Sequence, residues 1–93
     1  MYYSLICHDF PNSSEKRKRL RENHINYLNN FKELILFAGP MMDEENNVLG
    51  SLIIIKFSNK KKADDFSKND PYFLGGLFKK VLINKFKRVF WFF

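Results

Sequence analysis

Hydrophobic positions along this chain alternate between the two-residue period of strands and the 3.6-residue period of helices. Tyr2 to Cys7 is aromatic and β-branched enough for a strand, and His8-Asp9-Phe10-Pro11-Asn12 reads as its exit loop. Leu20, His24, Tyr27, Leu28 and Phe31 then fall on one helical face, with Asn12 as N-cap and Glu15 three residues on as a variant capping box. Lys16, Lys18, Arg19, Glu22 and Asn26 belong to the solvent side of that helix. Leu34 to Ala38 gives a second strand that Gly39-Pro40 ends, and Asp43 to Asn47 is a polar loop. Leu49 to Phe57 gives a third strand, paired with the second as a hairpin. Its run Leu52-Ile53-Ile54-Ile55 is the pattern of a central strand covered on both faces. Ser58-Asn59 caps a second helix, about Lys60 to Lys68, which turns Ala63 and Phe66 inward. Lys60, Lys61 and Lys62 oppose the macrodipole at its start and so are not placed for helix stability. Asp70-Pro71-Tyr72 opens a connection through Gly75-Gly76, and Val81 to Phe92 closes the chain as an aromatic strand.

The resulting order, βαββαβ, is the ferredoxin-like α+β arrangement: an antiparallel sheet with both helices on one face. The other face needs cover, and packing against a second sheet would supply it as a dimeric α/β barrel. The 93 residues suit one domain, spanning 1–93. A domain this small with eleven Phe and four Tyr gains buried surface by self-association, so a homodimer or higher homo-oligomer is expected. Cys7 is alone, so no intrachain disulfide forms, and with no signal-peptide pattern at the start the reducing cytoplasm is the expected compartment. No apolar run approaches the roughly 20 residues of a membrane helix, so a membrane partner is not expected.

Sixteen Lys+Arg against ten Asp+Glu give a net charge of +6. That balance would attract nucleic acid or an anionic metabolite, but basic residues are common on solvated faces and no nucleic-acid motif is present. Phosphate-cradling glycine motifs and metal-ligand spacings are absent too, so neither a metal nor a cofactor is expected. Among groups that move protons near neutral pH, His24 stands out because it lies on the apolar stripe of its helix. On position alone a satisfied core-edge histidine is the leading reading. Arg21 and Arg17 lie one and two turns before it and would suit an anionic substrate, Arg17 being the better candidate for a simple exposed charge. Asp70, followed by Pro71, reads first as a helix N-cap. Both roles coexist if one carboxylate oxygen caps while the other orients a histidine. His8 and Asp9 read as surface-loop residues, and Cys7 as a small buried hydrophobe.

Asp9, Arg21 and His24 within R-x-x-H-x-x-Y-L, Ala38-Gly39-Pro40, Gly50-Ser51, Asp70-Pro71-Tyr72 and Phe86-Lys87-Arg88-Val89-Phe90 together form a pattern. In that order they resemble the YciI-like (YCII-related) family over nearly the whole chain. The resemblance implies a dimeric α/β barrel whose pocket holds a paired histidine and aspartate, matched here by His24 and Asp70. Arg21, Gly39, Pro40, Ser51 and Tyr72 are the implied pocket neighbours that bind substrate. An enzyme similar to the family removes chloride from a chlorinated hydroxyquinol, which suggests proton-transfer chemistry on small organic molecules. The chain departs from the family pattern at Asn84-Lys85, where proline is common, and at Phe66, where tryptophan is. His8 stands where the family is usually uncharged.

Three functions compete at this point. The leading one is acid-base catalysis by His24 and Asp70 with Arg21 steadying an anion, in an elimination, isomerisation or hydrolysis. The second is a non-catalytic module that holds a small, anionic ligand in the same pocket. The third, nucleic-acid binding through the basic runs Lys16–Arg21, Lys60–Lys62 and Lys85–Arg88, ranks last, because the aromatics are better spent on sheet and interface than on base stacking.

Overall fold

The structure is a computed structural model that describes residues 1–90. Strand β1 (Tyr2–Asp9) leads to helix α1 (Ser14–Asn29), the hairpin β2 (Ile35–Met42) and β3 (Val48–Lys56), helix α2 (Lys60–Lys68), the short α3 (Pro71–Leu74) and strand β4 (Phe78–Phe86). The four strands form one sheet in the order β2-β3-β1-β4, every neighbouring pair antiparallel. This is the expected α+β order with one short helix added, and β3 is indeed central. Among the described residues no helix is long and apolar enough to cross a membrane.

Several boundaries differ from the sequence reading, each for a local reason. Asn12 does not cap α1. It sits at φ 58°, a left-handed conformation that asparagine tolerates, and Ser13 takes the cap position. Gly39-Pro40 does not end β2, which runs on to Met42. Proline is acceptable there because β2 is an edge strand, so its missing N–H breaks no second ladder. The last strand begins at Phe78, three residues before Val81, and ends at Phe86. The part of that expectation beyond Phe90 lies outside the described residues. Asn59 caps α2 as read, accepting from the Lys62 amide at 3.0 Å. The lysines at the start of α2 answer its carboxylates one turn on, Lys60 to Asp64 at 3.3 Å and Lys61 to Asp65 at 2.9 Å.

The alternation of β1 sets the layers. Tyr3, Leu5 and Cys7 point to the helices and meet Ile55, Ile53 and Ser51 of β3 across the ladder. Ala63 and Phe66 of α2 close over them, with Tyr27, Leu28 and Phe31 of α1 at the edge. Their opposite numbers, Ser4, Ile6 and His8, share the second face with Ile54, Leu52 and Gly50 of β3 and with Asn84, Leu82 and Lys80 of β4. That face also presents Phe37 and Phe86, 51% and 36% exposed, and no described helix covers it. Gly50 is demanded by packing: a Cβ there would lie 1.8 Å from the backbone oxygen of Cys7.

Burial pushes the Cys7 thiol up from its ordinary 9.0 to about 12, with the charges of Asp70 and Asp9 adding to the effect. Two outcomes follow for stability. Gly50→Ala, which forces two strands apart, is expected to cost about 3 kcal/mol or more in denaturant unfolding. Gly39→Ala, whose Cβ would meet nothing within 4 Å, should stay within about 0.5 kcal/mol of the parent. Cys7 also predicts a pH dependence. Above pH 9 the unfolded thiol ionises while the folded one keeps its proton, so stability falls as pH rises from 9 towards 12. Unfolding measured at pH 8.5 and 9.5, where the tyrosines, with an ordinary value of 10.0, contribute less than the thiol, should show a decline that Cys7→Ala reduces.

Candidate active site

Helix α1 carries Arg17, Arg21, His24 and Leu28 along one stripe, and that stripe is one wall of a cleft of about 910 Å³. The facing wall is the β2–β3 hairpin, including Gly39, Pro40 and Ser51, and Tyr72 lies at the base. Exposed apolar side chains, Phe10, Ile25, Val48 and Leu49, surround the mouth.

Asp70 comes to the cleft because it ends the connection from α2 and starts α3. Pro71 occupies the first helical position and the Tyr72 amide donates to Asp70 Oδ1 at 2.9 Å. The same oxygen lies 2.8 Å from His24 Nδ1. One oxygen therefore caps the helix and meets the imidazole, where the sequence had suggested a division between the two. Asp70 is 2% exposed and His24 6%, so the contact is shielded from water. The imidazole tautomer that donates across this contact carries its proton on Nδ1 and keeps a lone pair on Nε2. No described buried side-chain nitrogen or oxygen lacks a partner and Nδ1 makes the ring's hydrogen bond, so Nε2 is not fully enclosed, on a ring that lines the cleft.

Close approach of α1 to α3 makes this geometry possible. Gly75 supplies the room, since a Cβ there would meet Leu20 Cδ1 at 2.5 Å. Tyr72 then stacks on His24 with ring centroids 3.8 Å apart and planes 10° from parallel. The Arg17 guanidinium sits 4.7 Å from the centroid of the Tyr72 ring.

Arg17 is not the simple exposed charge that the sequence suggested. Arg17 Nε and Nη2 donate to the two oxygens of Asp9 at 2.8 and 3.0 Å, and Nη2 also donates to Ser51 Oγ at 3.0 Å. Burial works against its charge, but the hydrogen bonds and charge of Asp9 outweigh this and hold the guanidinium above its ordinary range. Arg21, by contrast, is exposed, lines the cleft and makes no side-chain hydrogen bond among the described residues. Asp9 is thus a nearly buried ion-pair partner, with its side chain 6% exposed, and not a loop residue. A signal for it was present: in the alternation Tyr3, Leu5, Cys7, Asp9, the last member falls on the helix face. A β-bulge between His8 and Asp9 in the pairing with β4 brings Asp9 opposite Phe78. His8 is exposed on the other face, away from the cleft. Among the described residues no group of three His, Cys, Asp or Glu side chains is arranged to hold a metal ion.

This architecture has relatives. A domain model described as the YCII-related domain matches residues 1–87. An uncharacterised protein of Haemophilus influenzae is 37% identical over 98 aligned positions, covering 97% of this chain and 100% of its own. Protein YciI of Escherichia coli is 31% identical with the same coverage. Among solved structures, 5-chloro-2-hydroxyhydroquinone dehydrochlorinase of Burkholderia phenoliruptrix, in complex with 2,5-dihydroxybenzoquinone, superposes with a TM-score of 0.89 at 24% identity over 96% of each chain. The Arabidopsis thaliana protein At3g17210 shares the fold more distantly, with a TM-score of 0.52 at 18% identity over 99% of this chain and 98% of its own. From the sheet order to the order of its motifs, the chain belongs to the YCII-related domain family.

Proposed function

We propose that this chain is a small acid-base enzyme acting on a small organic molecule, with His24 and Asp70 as its catalytic residues. The observation that carries this reading is the shielded 2.8 Å contact between His24 Nδ1 and Asp70 Oδ1, on a ring that lines a cleft of about 910 Å³. Here Asp70 fixes the tautomer and offsets the positive charge that appears on the ring when Nε2 takes a proton. Arg21, the uncommitted cation of the α1 stripe, meets the anion that forms as the proton leaves the substrate. Gly39, Pro40, Ser51 and Tyr72 shape the cleft around the substrate. In an elimination the substrate C–H bond breaks towards Nε2, its electron pair becomes the new double bond, and the leaving group departs with its own pair. Isomerisation returns the proton at a different atom, and hydrolysis uses the same base to activate water. The fold is one that supports such chemistry in the dehydrochlorinase neighbour, an enzyme bound to a small quinone.

The second face of the sheet supports a homodimer. With Phe37, Leu82 and Phe86 each more than a third exposed, it presents an apolar surface that a second copy would cover sheet to sheet. Sedimentation equilibrium is expected to give a dimer, and Leu82→Glu a monomer. A monomeric parent chain would refute the assembly.

For the chemistry, a panel of chlorinated phenols and enolisable carbonyl compounds, including 5-chloro-2-hydroxyhydroquinone, is the direct test. At least one compound should turn over, and His24→Gln should lower that rate by about 10² to 10⁴-fold while binding persists. Tight binding with no turnover anywhere in the panel would instead make the chain a non-catalytic binding module.

A further inference from the structure

Next to the acid-base pair, the cleft holds a second hydrogen-bonding group. Tyr72 is 2% exposed and is fixed on several sides. Its amide donates to Asp70, its carbonyl accepts from the Leu77 amide at 3.0 Å, and the Phe78 ring meets it edge-on at 5.8 Å. Its ring lies within 10° of parallel to that of His24, and both residues line the one cleft.

The surroundings are unusual for a packing tyrosine. Two guanidinium groups act on the phenol: Arg17, whose orientation Asp9 and Ser51 fix, and Arg21, which has no such commitment. Burial pushes the phenol up, while Arg17 and then Arg21 pull it back and the Asp70 charge works the other way. His24 is the remaining titratable group against the ring. On balance the phenol stays above its ordinary value and keeps its proton, and with Arg17 over its ring and the charge of Arg21 also acting on it, it is a stronger donor to an oxygen that gains negative charge than the same phenol in an apolar core.

Resting on the acid-base reading above, we propose that Tyr72 is a catalytic hydrogen-bond donor to a substrate oxygen, and that the substrates are small enolisable carbonyl or phenolic compounds. His24 Nε2 removes the proton from the carbon beside the carbonyl. The C–H pair forms the carbon–carbon double bond and the carbonyl π pair moves onto oxygen, which receives the hydrogen bond, and at the limit the proton, of the Tyr72 hydroxyl. Arg17 and Arg21 balance the negative charge shared between the two oxygens. Collapse of the enolate then returns the proton to Tyr72 and either expels a β leaving group with its electron pair or takes a proton from His24 at another carbon. Asp9 and Ser51 are positioning residues in this scheme, acting through Arg17.

Two measurements test it. The first is titration of 2,5-dihydroxybenzoquinone, an enolic acid whose colour reports its ionisation, into the parent chain and Tyr72→Phe. The phenylalanine keeps the stacked ring and removes only the hydroxyl, so affinity for the enolate should fall by about tenfold or more. Equal affinity in the two would reduce Tyr72 to a packing residue, and no binding by the parent would overturn the substrate class. The acid-base reading stands or falls separately, on the loss of turnover in His24→Gln. The second needs no ligand: in tyrosine-labelled protein followed by NMR, Arg21→Gln should move the Tyr72 titration to higher pH. An unmoved titration would overturn the electrostatic half of the proposal.

Discussion

One buried oxygen atom, Asp70 Oδ1, organises the cleft side of this molecule. It accepts the Tyr72 amide at the start of α3 and the His24 imidazole from the middle of α1, two groups 2 and 46 residues away in sequence. A carboxylate 2% exposed must be paired on the protein, since leaving it alone away from water costs several kcal/mol. The fold meets that cost by locking two helices at one point, and the Leu20–Gly75 approach and the stacked His24–Tyr72 rings follow from the same junction.

Charge in the cleft is divided by function. Arg17 is spent within the protein, its ion pair with Asp9 and its bond to Ser51 joining α1 to the ends of β1 and β3. Arg21 is left without a bond, one turn closer to His24. A cation tied into a network gives shape, whereas an untied one gives attraction, and the two arginines of the stripe divide these parts between them. The apolar rim adds the shielding from water that makes both more effective.

Much of this was readable from the residues, and what was not has physical causes. The strand and helix order followed from periodicity, and the cluster Leu52–Ile55 marked the central strand because only a central strand tolerates apolar residues on both sides. The proximity of His24 and Asp70 was not readable from spacing, which gave a core-edge histidine and a helix cap. It came from the resemblance to a family, and the structure brings the two side chains within 2.8 Å of each other. Arg17 was misjudged because helix position alone cannot show which of two arginines on a stripe will find a carboxylate. The answer depended on Asp9, itself hidden by a turn-like neighbourhood that its place in the β1 alternation contradicted. Gly39-Pro40 misled for a similar reason, since a turn dipeptide is harmless on an edge strand and no local signal reveals which strands are edges.

The long separations in sequence within the cleft have a consequence for the life of the chain. Arg17 reaches Ser51 across 34 residues and His24 reaches Asp70 across 46, and Tyr72 is then backed by Phe78 of the last strand. During synthesis the histidine is therefore made long before its carboxylate, and an emerging chain that already has α1 and the hairpin still has no assembled site. Any binding or reactivity the cleft confers arrives late and all at once, when the last strand docks beside the first. A chain that stops short of Asp70 lacks the pair altogether, even where its earlier helix and strands are intact.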